Sequence, residues 1–216
     1  MVEHVNVVIV GGHGQIAMRL SKILAERGDN PRGIIRHTEQ ADDLEAIGAE
    51  PIVLDIENVD DIGDALAGAD AAVFAAGAGP GSGPARKRTV DYGGAVKLVD
   101  ACLSQDIRRY VMVSSIGSNR PETWADEMRP YQEAKSEADT FLRESGLDYT
   151  ILRPGRLTDD PGTGKVQVGE TLEYGSVTRD DVAAVIAECL VADNTIAKSF
   201  DLLSDGTPIP EAIRSL

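Results

Sequence analysis

The run Val5-Asn6-Val7-Val8-Ile9-Val10-Gly11-Gly12-His13-Gly14-Gln15-Ile16-Ala17 decides the fold. Its β-branched residues favour an extended strand. Glycines at 11, 12 and 14 break that strand, and Ile16, Leu20, Ile23 and Leu24 then recur at helical spacing as far as Gly28. Strand, tight turn and helix in direct succession aim backbone N–H groups and a helix N-terminus at one point, which suits a pyrophosphate. Gly11 suits the turn, Gly14 lets backbone approach a ligand, and the small Ala17 permits close packing of helix on strand. The spacing is G-x-x-G-x-x-A rather than the strict G-x-G-x-x-G of dehydrogenases.

The same alternation continues along the chain. Gly33–Arg36, Pro51–Asp55, Ala71–Ala76, Arg108–Ser115 and Asp148–Arg153 read as strands two to six, with Asn30-Pro31 as a turn before the second. Between them helices are expected over 15–27, from a Thr38 cap through Gly48, over 59–67, from Lys87 to Gln105, and from Tyr131 to Ser145. Alternating strands and helices require right-handed crossovers, and so predict an α/β fold: a doubly wound parallel sheet with helices on both faces. The 216 residues fit one domain, 1–216, with a core over 1–155 and a small C-terminal, substrate-side part over 156–216. In that last part, 157–176 reads as loops and short strands, Thr178 caps a helix over 179–191, and Phe200–Leu203 is a final strand before a short tail. Aromatic residues make up only 4%, so the core must rest on Val, Ile, Leu and Ala, as in sheets buried on both faces.

The net charge of −15 argues against nucleic acid and anionic membranes as partners, since both need a basic footprint. Met1-Val2-Glu3-His4 has no basic n-region, so no secretory leader is expected, and no apolar run approaches a membrane span. Cys102 and Cys189 lack any partner spacing and read as buried free thiols in a reducing cytoplasm. His4 and His37 have no metal-type partners, and no metal is predicted. The expected partners are a small-molecule substrate and at most a second copy in a homodimer.

Chemistry concentrates at Tyr131-Gln132-Glu133-Ala134-Lys135. On a helix, positions i and i+4 share a face about 5–6 Å apart. An ammonium beside a phenol favours the phenolate, so such a tyrosine can pass a proton to or from a substrate oxygen while hydride moves. Ser114 or Ser115, ending the fifth strand, would polarise that oxygen. Gly77–Gly83 lies past the fourth strand, at the edge where ligands of open α/β sheets bind, and reads either as a flap or as an ordinary flexible connection. Trp124 and Met128 either cover the site or anchor a surface loop. Arg86-Lys87-Arg88 reads as a solvated face, with attraction of cofactor phosphates or of an acidic substrate as the alternative. His13, inside the glycine turn, either contacts phosphate or faces solvent.

Taken together, these motifs resemble the short-chain dehydrogenase/reductase superfamily, in its extended-to-atypical NAD(P)H-binding branch of Rossmann-type folds, over nearly the whole chain. The likeness rests on Gly11 to Ala17, Leu54-Asp55-Ile56, Ala75-Ala76-Gly77, Val113-Ser114-Ser115, Tyr131 with Lys135, Leu152-Arg153-Pro154-Gly155 and Thr178-Arg179-Asp180-Asp181-Val182-Ala183. It implies Ser115, Tyr131 and Lys135 as catalytic residues, with Ser114 as the alternative serine and Lys135 also reaching the cofactor ribose. It further implies Gly11, His13, Gly14, Gln15 and Ile16 at the pyrophosphate, Asp55 and Ile56 beside the adenine, Ala75, Ala76 and Gly77 along the ribose, and Pro154 and Gly155 bordering the nicotinamide. The charges of Arg179-Asp180-Asp181 would dock the C-terminal helix. The chain lacks the large C-terminal domain of the sugar-nucleotide epimerases, so a nucleotide-sugar substrate is not expected.

Cofactor choice turns on the residue ending the second strand, where NAD sites place an acid and NADP sites an arginine. Here Arg36 stands there, followed by His37, and a guanidinium can fork onto a phosphate and stack on adenine. The expectation is therefore an NADP(H)-dependent oxidoreductase acting on a small carbonyl or alcohol. The alternatives are an epimerase- or dehydratase-like enzyme using the same residues, and a non-catalytic NADP(H) sensor.

Overall fold

The computed structural model describes residues 4–79 and 81–216, so part of the leader reading (Met1 to Glu3) and one position of the Gly77–Gly83 loop (Pro80) lie outside the described residues. Along the chain run β1 (Asn6–Val10), α1 (Gln15–Arg27), β2 (Asn30–Ile35), α2 (Ala41–Glu45), β3 (Glu50–Val53) and β4 (Ala71–Phe74). A long helix follows in three continuous pieces: α3 (Pro84–Arg86), a π-helical stretch (Lys87–Gly94) and α4 (Ala95–Ser104). Next come β5 (Arg109–Val113), α5 (Arg129–Glu144), β6 (Asp148–Pro154), β7 (Arg156–Thr158), β8 (Lys165–Gly169), β9 (Ser176–Thr178), α6 (Arg179–Cys189), β10 (Lys198–Ser204), β11 (Thr207–Pro208) and α7 (Ile209–Arg214).

The main sheet is ordered β11-β8-β10-β6-β5-β4-β1-β2-β3, and the stretch from β10 to β3 is parallel throughout. Strand order reverses at β1 and β4, which puts the ends of both strands beside the crevice where such sheets bind ligands. Alternate residues of β1 feed two cores. Val7 and Ile9 pack with Leu20 and Leu24 of α1 and Val182 and Ile186 of α6 on one face, while Val8 and Val10 pack with Leu98 and Cys102 of α4 and Ala138 and Leu142 of α5 on the other. Each such Val, Ile or Leu side chain contributes about 1.5–3 kcal/mol on burial, so β1 is held firmly from both sides. Gly12 and Gly33 let the turn after β1 touch β2 backbone to backbone; a Cβ on Gly12 would lie 2.7 Å from Gly33 Cα.

Several expected elements differ. Asn30-Pro31 opens β2 instead of forming a turn. Pro31 is tolerated because Asn30 N donates to Val5 O, which turns the next residue's missing N–H toward β3, and β3 pairs no further back than Arg32. The helix expected over 59–67 is a single 3-10 turn, Gly63–Leu66, where Asp61 Oδ1 accepts from Gly63 N at 2.7 Å and competes with helical bonding. Thr38 does not cap a helix through Gly48. It begins a 3-10 turn (Thr38–Gln40) ahead of the short α2, and Gln40 Oε1 accepts from His37 N at 3.2 Å. The long helix begins at Pro84, whose fixed φ suits a first helical position, and α5 begins at Arg129, which places Tyr131 in its first turn.

The C-terminal part completes the sheet. β10 pairs parallel to β6, while β8 runs antiparallel to β10 and β11 antiparallel to β8, so the edge is not parallel as expected. The tail folds back as α7 because Ile209, Ala212 and Ile213 share one buried face. Thr178 does cap α6, accepting from Asp181 N at 3.0 Å. Arg19 of α1 meets Asp180 at 2.5 Å, and that pairing holds the Asp180 carboxyl below its ordinary range. The acidic pair is thus a docking feature. Trp124 Nε1 donates to Gly117 O at 2.7 Å and Met128 is 45% exposed, which fits the surface-anchor reading of that loop. Burial pushes both free thiols, Cys102 and Cys189, up to about 12. Among the described residues no helix is long and apolar enough to cross a membrane, and no cluster of three or more His, Cys, Asp or Glu could hold a metal.

Candidate active site

Two cavities, of about 240 and 170 Å³, meet along Ala75, Ala76 and Gly77 just past β4 and form one cleft over the C-terminal ends of the strands. The first is walled by the glycine turn, by Arg36 at the end of β2 and by the 54–57 segment after β3. Gly11 sits at φ +84°, and Gly14 N donates back to Gly11 O at 2.7 Å, so the turn needs glycine. The first helical bond of α1 is Met18 N to Gly14 O at 2.9 Å, which leaves the first-turn N–H groups without helical acceptors. No side chain caps this end and its first turn carries no acid, unlike α6, which has both. An uncapped helix start beside a glycine turn and an arginine fits the phosphates of a dinucleotide.

The individual residues behave differently. His13 lies against α2: its Nε2 donates to Asp43 Oδ2 at 2.7 Å and its Nδ1 accepts from Gln40 at 3.2 Å. Asp55 lines the cavity, but its carboxylate is engaged by Glu57 N and Asn58 Nδ2 and so shapes the turn. Arg36 points at Glu57, 3.5 Å away. Gln15 and His37 are exposed and line neither cavity.

The second cavity gathers Ile16, Ser114, Ser115, Tyr131, Lys135, Pro154 and Gly155. Lys135 Nζ lies 5.9 Å from the Tyr131 ring centre, donates to Val113 O at 3.2 Å, and meets Asp91 Oδ1 at 3.2 Å as an ion pair outside hydrogen-bond geometry. Asp91 Oδ2 in turn accepts from Ala78 N at 3.2 Å. Burial pushes the Lys135 ammonium down, but its neighbours Tyr131 and Asp91 outweigh it and leave it raised. Lys135 therefore stays cationic although it is buried. Lys87 Nζ adds a second ammonium 5.2 Å from the Tyr131 ring. Ser114 is turned inward to Ser118 Oγ at 3.3 Å, whereas Ser115 is half-buried with only Gln132 Nε2 nearby, at 3.5 Å.

Behind Ser114, Ser118 Oγ donates to Asp139 Oδ2 at 2.9 Å. Burial pushes the Asp139 carboxyl up, against the opposing hydroxyls of Ser114 and Ser118 and the charges of Arg153 and Arg143. Below the ordinary carboxylate range this acid is protonated folded and unfolded alike. As pH rises, the unfolded chain ionises first, so the folded state loses stability until its own raised range is passed. Asp139→Asn, which keeps an acceptor for Ser118, is expected to melt above the wild type at pH 7. The gain should shrink toward pH 4 in thermal scans, each kcal/mol appearing as about 2–4 °C at this chain length.

Sequence reasoning missed Asp91, Glu57, Gln132 and Asp139, and for the basic run it favoured a solvated face over attraction of cofactor phosphates or an acidic substrate. The run in fact divides: Arg86 turns to Glu57 in the first cavity, Lys87 to Tyr131, and Arg88 to Glu137. One signal was available for Asp91, an acid set among the apolar positions Val90 and Ala95 of a helix that must pack on the sheet.

Known proteins share this architecture. The family model described as NAD(P)H-binding matches residues 11–193. The uncharacterized sugar epimerase YhfK of Bacillus subtilis is 40% identical, covering 97% of this chain and 99% of that protein. A solved Bacillus halodurans structure, named for an NAD-dependent epimerase/dehydratase, superposes with a TM-score of 0.94 at 39% identity over 98% of this chain and all of its own. The oxidoreductase ylbE of Lactococcus lactis does so at 0.87 and 30% identity, over 98% of this chain and 96% of its own.

Proposed function

Because this chain belongs to the NAD(P)H-binding family, we propose that it is an NADP(H)-dependent oxidoreductase of the short-chain type acting on a small carbonyl or alcohol in the cytoplasm. The observation that carries the reading is the continuous cleft, which begins at Arg36, passes the glycine turn, and ends among Ser115, Tyr131 and Lys135. Gly11, Gly14 and the start of α1 would hold the pyrophosphate, Arg36 the adenosine end, and Ala75 to Gly77, Pro154 and Gly155 the ribose and nicotinamide. A bound nicotinamide supplies or accepts the hydride. Ser115 donates a hydrogen bond to the substrate oxygen and orients it. Tyr131 gives that oxygen a proton on reduction and recovers it on oxidation. Lys135, held cationic by Asp91, supports the phenolate so formed. Ile16 and Leu157 line the same cavity and limit water around the transfer.

The experiment is NADPH oxidation against a panel of aldehydes, ketones and quinones, with cofactor binding measured in parallel. Turnover on any member supports the reading. Tight NADPH binding with no turnover across the panel rejects it in favour of a sensor. The names of two relatives favour a second reading, an epimerase-like enzyme in which hydride is lent and returned. Deuterium retained in a product with no net change in cofactor would identify that case.

A further inference from the structure

Glu57 is gripped from two sides at the wall of the first cavity. Arg36 Nη1, from the end of β2, lies 3.5 Å from Glu57 Oε2. Arg86, from the start of the long helix, reaches the same oxygen with Nη2 at 3.2 Å and Nε at 3.3 Å. Thr89 Oγ1 donates to Oε1 at 2.8 Å. Arg36, Glu57 and Arg86 all line this cavity, and both guanidiniums keep about two-fifths of their side-chain surface exposed, with 23% for Glu57. The backbone beneath Glu57 is pinned: Asp55 Oδ1 accepts from Glu57 N at 3.0 Å, and Lys97 Nζ donates to Ile56 O and Val59 O. The carboxylate is thus presented to the arginines by a fixed turn.

Two forked cations converging on one anion in an open cavity constitute an anion site with an internal occupant. We propose that Arg86 is a second binding residue for the cofactor's 2′-phosphate, and that Glu57 is its built-in competitor. The inference rests on the NADP reading above. A phosphate monoester carries about −1.5 to −2 charges at neutral pH, which matches two guanidiniums better than the single charge of a carboxylate does. The phosphate takes the space between Arg36 and Arg86, and Glu57 rotates away from it. Unliganded, Glu57 keeps the two arginines gathered and cancels part of their charge, which weakens binding of anions other than the doubly charged phosphate.

Isothermal titration with adenosine 2′,5′-bisphosphate and with 5′-AMP tests this on the full chain, for the wild type, Arg36→Ala, Arg86→Ala and Glu57→Gln. The expected result is at least a tenfold loss of bisphosphate affinity in Arg86→Ala, with 5′-AMP changed less than threefold. Glu57→Gln should gain severalfold for the bisphosphate, an outcome that misfolding cannot produce. If Arg36→Ala loses the bisphosphate while Arg86→Ala and Glu57→Gln match the wild type, this proposal fails and the NADP reading stands. If the wild type binds 5′-AMP as tightly as the bisphosphate, the NADP reading itself fails, and the proposal with it.

Discussion

Tyr131→Phe is expected to lower cofactor-linked turnover by about 10²–10⁴-fold, the range general acid–base groups contribute, while leaving the affinity for NADPH within about twofold. In the proposed mechanism the Tyr131 phenol, which lines the second cavity, moves the proton at the substrate oxygen. The Tyr131 ring is half-buried in the first turn of α5, with Lys87 and Lys135 on it. Phenylalanine keeps the ring and its packing, so thermal stability should match the wild type. Steady-state kinetics on the best substrate of the panel, paired with NADPH titration, checks both halves. A loss shared equally by turnover and cofactor binding would assign Tyr131 to holding the cofactor; unchanged turnover would remove it from the chemistry.

Lys135→Met should lose activity and stability together, for separable reasons. The side chains of Lys135 and Asp91 are only 4% and 1% exposed, so removing the lysine strands a buried carboxylate. Breaking such a pair from one side typically costs about 3–5 kcal/mol. The double variant Lys135→Met/Asp91→Asn removes the stranded charge yet keeps an oxygen to accept from Ala78 N. It should regain most of the lost stability in urea titrations and none of the lost turnover. If the double variant recovered activity, Lys135 would be a structural counter-ion to Asp91 and nothing more.

Local pattern made the cleft's skeleton readable. The glycine turn, the strand ends at Arg36, Ala75 and Ser115, and the Tyr131–Lys135 spacing all depend on short-range geometry, and all meet in one cleft. Gln15 within the glycine turn and His37 after Arg36 both have exposed side chains outside the two cavities. Asp91 and Glu57 act through partners 44 and 29 positions away (Lys135 and Arg86), a pairing that no periodicity encodes. The register at the sheet's far edge was equally hidden, because β10 depends on Asp201 facing Arg153 across the strands, with Arg120 reaching in from a loop.

By itself the sequence determined the α/β alternation, the glycine turn and the Tyr131–Lys135 spacing, since each is set by neighbours within one or two turns of chain. The tertiary structure alone decided which charges face one another: which arginine of the basic run enters the cleft, which acid holds Lys135 and which serine stays available. Those choices follow from how the π-helical stretch and α5 pack across the sheet. For Lys135 and Asp91 burial then makes the pairing obligatory, because leaving either charge alone at 4% and 1% exposure would cost several kcal/mol.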